Sequence, residues 1–174
     1  NPRVLAKARA EIQDVLGGAQ PSFENIKRLE YLQDCISESL RLYPSVPQDP
    51  KMAIDDDVLP DGTHIPAGTW LVYSAYVMGR LEHLWGKDCL EYRPERLREL
   101  KERPSPFLFP AFQAGPRTCL GQNMAYMEMK VVLARVLTEF DLELEPGQKI
   151  EPEMPNPTLP MRYGMKVKVA ARAL

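Results

Sequence analysis

Phe112-Gln113-Ala114-Gly115-Pro116-Arg117-Thr118-Cys119-Leu120-Gly121 is the stretch on which the reading of this chain turns. Taken alone, a cysteine such as Cys119 is most often a small buried hydrophobe. Its neighbours argue for chemistry. It lies just before a helix expected over residues 122–140, and the unpaired N–H groups of a helix start favour an anion. Gly115 and Gly121 allow tight turns and let a flat group approach the backbone closely. Arg117 brings a permanent positive charge two residues away. Such a setting holds a thiolate. The chain has 3 cysteines, Cys35, Cys89 and Cys119, and no CxxC. That odd, scattered set argues against a disulfide framework or a four-ligand zinc site, and it suits reduced thiols in the cytosol. A single thiolate with neither a second cysteine nor a histidine beside it suits a haem iron better than zinc. His64 and His83 lie far apart, one in an expected hairpin and one in a loop, and are not expected to bind metal.

Working outward, the helix over 122–140 carries Met124, Met127, Val131, Leu133 and Val136 among its apolar residues, and residues 101–118 before it are irregular. Apolar positions Val4, Leu5, Ala8, Ile12, Val15 and Leu16 predict a helix over 2–16, stopped by Gly17-Gly18. Ser22 is placed to cap a short turn. A second helix is expected over 26–42, with Leu29, Leu32, Ile36 and Leu40 as its stripe and Pro44 as its end. Residues 58–74 read as short strands around the turn signals Pro60-Asp61-Gly62 and Pro66-Ala67-Gly68, the last strand covering 69–74. Helical turns are expected at 76–80 and 94–100, and strands of a final small sheet at 142–144 and 165–169. The chain holds 17 prolines among 174 residues, about twice ordinary usage. They cluster in 44–66, 94–116 and 146–160, which therefore cannot be long helices.

Composition narrows the class. At 44% hydrophobic and 26% charged residues the balance is that of an ordinary globular chain, long enough to bury a sizeable core. A net charge of -2 with no basic run makes nucleic acid an unexpected partner. No run of about 18 apolar residues exists, so nothing in the chain reads as a transmembrane helix. The chain begins at Asn1 rather than Met, which suggests a fragment or a processed chain.

The cysteine stretch matches the haem-binding pattern F-x-x-G-x-R-x-C-x-G of the cytochrome P450 family at five fixed positions. Such a match arises by chance in fewer than roughly one chain in a thousand. The sequence thus resembles the C-terminal part of that family. The resemblance implies a mainly α fold with small β-sheets (α+β), incomplete at its N-terminus, with residues 1–174 forming the C-terminal portion of one catalytic domain. It implies Cys119 as the catalytic residue and axial ligand of haem b, a thiolate whose donation favours O–O cleavage. Phe112 would pack near the ring and sulfur, Arg117 would pair with a propionate, and Gly115 and Gly121 would shape the cofactor's bed. N–H groups just after Cys119 would hydrogen-bond the sulfur. Lys51 falls where many relatives place a propionate-binding arginine.

Two further strings fit the same family. Glu38-Ser39-Leu40-Arg41 places a carboxylate and a guanidinium on one helix face; alone it would be an exposed pair worth about 0.2–0.5 kcal/mol. Tyr92-Arg93-Pro94-Glu95-Arg96 alone would be a solvated charged turn. The resemblance joins Glu38, Arg41 and Arg96 into one buried structural triad, whose guanidinium groups would hold carbonyls of the irregular loop 101–118. Leu97 stands where relatives commonly have an aromatic.

The resemblance also gives Val46 and Pro47, after the second helix, and Leu159 and Pro160, in the tail, as substrate-pocket candidates. Longer strings, Asp55 through Gly68, Tyr73 through Arg80 and Leu84 through Asp88, are similar to eukaryotic long-chain fatty-acid ω-hydroxylases. The implied whole is a membrane-bound monooxygenase using O2 and electrons from an NADPH-dependent cytochrome P450 reductase on a small apolar substrate, a fatty acid. It would sit on the cytosolic face of the endoplasmic reticulum, with its membrane contact and distal haem wall upstream of Asn1. Two other readings stand beside it: a haem-thiolate isomerase or dehydratase of oxidised lipids, and a non-catalytic truncated remnant. Residues 1–174 alone are expected to be inactive.

Overall fold

Asn1 starts the first helix by accepting a hydrogen bond from the Val4 N–H at 3.3 Å, with Pro2 in the first turn where its missing N–H costs nothing. In the computed structural model, which describes residues 1–100 and 102–172, this helix, α1, spans Pro2–Leu16. Gly17, left-handed at φ 54°, closes it by donating to the Gln13 carbonyl. Val4, Ala8, Ile12 and Leu16, four residues apart, form its buried stripe. The expected helix over 2–16 is therefore present, bounds included.

The second expected helix divides. Ser22 and Asn25 form a reciprocal capping box that starts a one-turn α2, Phe23–Ile26. The main helix α3, Glu30–Leu42, begins four residues later than 26–42 predicted. Its N-cap, Leu29, is apolar and fully buried, and its first N–H groups are satisfied from another helix. The Glu11 carboxylate of α1 accepts from the Tyr31 N–H at 2.6 Å and the Leu32 N–H at 2.8 Å. Tyr43, non-helical at φ -132° and ψ 67° before Pro44, ends α3 as expected.

Three small antiparallel ribbons follow the expected pattern in kind. β2, Asp57–Val58, pairs with β3, His64–Ile65; β4, Trp70–Tyr73, pairs with β1, Asp49–Met52. Strand β1 was not expected, because Pro50 lies within it. A two-stranded ribbon consists only of edges, where proline is tolerated. Single helical turns α4 (Ala75–Met78), α5 (Glu82–Trp85) and α6 (Arg96–Glu99) punctuate the next segment. Residues 102–118 are irregular apart from 3-10 turns at Pro110–Phe112 and Gly115–Arg117; Lys101 of the expected loop lies outside the described residues. Helix α7, Gln122–Glu139, runs straight into β5, Phe140–Leu144, which pairs with β6, Val167–Ala171. The two tail strands thus extend or shift by two residues from the expected ones.

The core lies where α1, α3 and α7 meet. Ala134 of α7 is completely buried beside Val4, Ala8, Ile12, Leu29, Leu32, Cys35 and Ile36; its small side chain lets the helices approach closely. Helix α7 is apolar on several sides, with Met124 and Val132 exposed. Among the described residues no helix is long and apolar enough to cross a membrane.

Candidate active site

The cysteine loop is built by three local devices. The Cys119 N–H donates to the Phe112 carbonyl at 2.9 Å, closing the loop on itself. Within it Thr118 returns to the Gly115 carbonyl through both its N–H (3.1 Å) and its hydroxyl (2.8 Å). Gly115 sits at φ 72°, a left-handed conformation that side chains resist, so this glycine is required for its backbone. Gly121 is under no such demand: its φ is -84°, and a Cβ there would make ordinary contact, 3.9 Å from the Cys119 sulfur. Phe112 packs against Tyr126 of α7, ring centroids 5.2 Å apart. The Gln122 N–H, at the start of α7, goes to the Cys119 carbonyl at 3.4 Å.

The loop presents its sulfur outward. Cys35 and Cys89 are buried, and burial pushes the Cys35 thiol up to about 12; Cys119 is exposed. Arg117 is exposed beside it, and Leu120 is fully so, at 103%. Among the described residues no group of three or more His, Cys, Asp or Glu could hold a metal ion. A single protein sulfur could not complete a zinc site but would suit a haem iron, which needs few ligands from protein side chains.

Behind the loop lies the triad, and it is buried as expected: Glu38, Arg41 and Arg96 are 0%, 1% and 5% exposed. Arg41 grips Glu38 with two parallel bonds of 2.8 Å, from Nε and Nη2. Arg96 Nε adds a third at 3.1 Å, and the Arg93 N–H a fourth at 2.9 Å. The remaining donors correct one expectation. They hold the carbonyls of Gly79, Cys89 and Glu91 from Arg41, and of Trp85, Asp88 and Glu91 from Arg96. These belong to residues 79–91, not to 101–118. The segment that the guanidinium groups order is the run of single turns before Tyr92-Arg93-Pro94.

The link to the cysteine loop is made by packing. The Arg41 guanidinium lies over the Trp85 ring at 5.3 Å, and Trp85 meets Phe109 edge-on at 6.5 Å. Leu108, Phe109, Pro110 and Ala111 line a small void with Leu40, Arg41, Gly79 and Trp85. Gly79 is where α4 touches α3: a Cβ there would lie 2.1 Å from the Arg41 carbonyl oxygen. Outside the triad, Arg96 also bonds Asp88, holding that carboxyl down to about 2, and Arg3 holds Glu95 below the usual carboxylate range.

The substrate-side candidates come together in part. The Leu159 N–H donates to the Ser45 carbonyl at 2.9 Å, so the tail turn with Leu159 and Pro160 lies against the turn carrying Val46. Val46 and Pro160 are exposed and Leu159 half-buried, whereas Pro47 is buried, its carbonyl taken by the Tyr76 N–H and the Ser74 hydroxyl. Lys51, on β1, places its ammonium 2.6 Å from Asp49 Oδ2 and 3.5 Å from Gln113 Oε1. Asp49, Tyr73 and Gln113 were not singled out in the sequence. Gln113 is left-handed at φ 62°, which nothing in its local sequence announces.

An open thiol on a loop packed against a buried carboxylate–guanidinium network is consistent with a haem-thiolate class of protein. Comparison with known proteins agrees. The family model for Cytochrome P450 matches residues 1–168. The chain is 42% identical over 189 aligned positions to Cytochrome P450 86B1 of Arabidopsis thaliana, covering 100% of this chain and 34% of that protein. It is 47% identical over 156 positions to Cytochrome P450 CYP94D109 of Paris polyphylla, covering 84% and 31%. To Alkane hydroxylase MAH1 of Arabidopsis thaliana it is 38% identical over 176 positions, covering 99% and 34%. The chain belongs to the cytochrome P450 family, which implies a haem iron cofactor, and it spans about a third of the length of these relatives.

Proposed function

We propose that these residues form the C-terminal, thiolate-bearing portion of a single catalytic domain, that of a haem b monooxygenase hydroxylating the apolar C–H bonds of a long-chain fatty acid. The observation that carries the reading is the thiol of Cys119, the exposed one of the three cysteines, on a loop that packs through Phe109 and Trp85 against the buried triad. Bound haem supplies the activation of O2, with electrons from an NADPH-dependent cytochrome P450 reductase at the cytosolic face of the endoplasmic reticulum. The chain's own residues supply the proximal side. Cys119 would ligate the iron through its thiolate, with Gly121 placing no side chain beside that sulfur. Arg117 and Lys51 would pair with the propionates through their positive charges. Val46, Leu159 and Pro160 offer an apolar wall to the acyl chain. The similarity to a relative named alkane hydroxylase supports an extended hydrocarbon substrate.

The test uses the full-length protein. Cys119→Ser is expected to abolish the thiolate-type carbon-monoxide spectrum, while Cys35→Ser and Cys89→Ser keep it. Saturated long-chain fatty acids are expected to displace the Soret band towards the high-spin form and to yield terminal or near-terminal alcohols. A thiolate signature surviving in Cys119→Ser would refute the ligand. A response to bulky polycyclic compounds and none to fatty acids would refute the substrate class.

A further inference from the structure

We propose that Asp49 is a positioning residue: with Tyr73 it pins the Lys51 ammonium against Gln113, so that the β1–β4 ribbon latches the cysteine loop and fixes a positive charge at its edge. The inference rests on the haem-thiolate reading and concerns what steadies the site.

The geometry begins with strand periodicity. Asp49 and Lys51 are two apart on β1 and so share a face. Tyr73 of β4 stands directly opposite Asp49 in the register. One carboxylate oxygen, Asp49 Oδ2, accepts from the Tyr73 hydroxyl at 3.0 Å and pairs with Lys51 Nζ at 2.6 Å. Burial, with the Asp49 hydrogen bond second, pushes the Tyr73 phenol up to about 12, so it remains a donor across the physiological range. The Lys51 side chain is 48% exposed against 17% for Asp49. An ammonium on a flexible four-carbon stem, half in water, has no fixed position of its own; the shielded carboxylate gives it one.

The far end of the relay is the unusual one. Gln113, at φ 62° and ψ -177°, is the one non-glycine residue with positive φ among the described residues. That region is populated comfortably by glycine alone, so Gln113 must be held. Its N–H bonds the Pro110 carbonyl at 3.0 Å, and its side-chain oxygen meets Lys51 at 3.5 Å. The next residue back, Phe112, supplies the carbonyl on which the Cys119 N–H closes the loop. The latch therefore acts one residue from the bond that sets the cysteine.

The experiment compares haem transfer to excess apomyoglobin and the ferric/ferrous midpoint potential in full-length, haem-loaded variants. Asp49→Asn is expected to release haem about threefold to fivefold faster, the scale of a partly exposed ion pair, and to raise the midpoint potential, because removing a negative charge favours the reduced iron. In a Gln113→Gly background the same substitution should no longer change the release rate, since the held residue is gone. Exchanging the charges, Asp49→Lys with Lys51→Asp, keeps a pair on the strand but turns a carboxylate towards the loop, and should still release haem fast. Wild-type release from Asp49→Asn, or full rescue by the exchanged pair, would overturn the latch. Loss of the thiolate-type spectrum in the unsubstituted protein would instead overturn the haem reading beneath it.

Discussion

Arg41→Lys keeps the charge and should nonetheless break the structure. Arg41 makes five hydrogen bonds: two to Glu38 and one each to the carbonyls of Gly79, Cys89 and Glu91. These acceptors lie in two directions, which a planar fork spans and a single ammonium does not. Lysine has three donors on one nitrogen, so at least two of these bonds are lost; among the described residues the Gly79 and Cys89 carbonyls depend on Arg41, whereas Glu38 Oε1 and the Glu91 carbonyl keep a bond from Arg96. Glu38 and Arg41 are 0% and 1% exposed, so water cannot take over. Each stranded buried acceptor costs about 1–3 kcal/mol, and disrupting a buried pair costs about 3–5 kcal/mol. Set against a domain stability of about 5–15 kcal/mol, that is a large fraction. The assay is the chemical-denaturation midpoint of the full-length protein together with its haem-to-protein ratio. Arg98→Lys is the control, because it pairs with Asp34 through a guanidinium that is half exposed and its cost should stay well below that of Arg41→Lys. Equal midpoints and equal haem content for Arg41→Lys and the unsubstituted protein would refute the reasoning.

Two glycine substitutions should separate fold from site. Gly79→Ala drives a Cβ to 2.1 Å from the Arg41 carbonyl oxygen and is expected to lower thermal stability by about 3 kcal/mol or more, whereas Gly121→Ala, with ordinary contact at 3.9 Å from sulfur, should leave the melting temperature near its original value while shifting the Soret band. Stability should also fall in acid. Arg96 holds Asp88 down to about 2 from 3.8, and Arg3 holds Glu95 below its ordinary 4.5. Carboxyls with depressed folded-state values stabilise fully above their ordinary values and lose that contribution as pH drops through the folded ones. Denaturation midpoints should therefore hold steady from pH 7 to about 5 and decline below about 4.5, less steeply in Asp88→Asn.

Local sequence carried the helices whose limits are local. Val4, Ala8, Ile12 and Leu16 repeat every four residues and Gly17 ends the run, so α1 could be read to the residue. The start of α3 could not. Its first N–H groups are capped by Glu11, 20 and 21 residues earlier in the chain, so no window around Ile26 contains the signal. Strand β1 was hidden by Pro50, a residue that speaks against a strand in a sheet interior and says nothing about a two-stranded ribbon. Gln113 was hidden for a similar reason: its left-handed backbone is imposed by the closed loop, not by its own preference.

The membership of the triad was legible through family resemblance, but its object was not, and the difference changes what the network does. The carbonyls in its grip fall between residues 79 and 91, where single helical turns are too short to satisfy their own ends. Arg41 and Arg96 supply the missing donors and so replace the intrahelical bonds that those turns lack. This fixes Trp85, whose indole N–H is itself bonded to the Met78 carbonyl at 3.0 Å. Trp85 then offers one rigid face to Arg41 and an edge contact to Phe109, at the threshold of the cysteine loop. The buried charges thus reach Cys119 at one remove, through an aromatic wedge. On this geometry Trp85→Leu, which leaves every charge in place, should loosen the loop around Cys119 while the triad's hydrogen bonds persist.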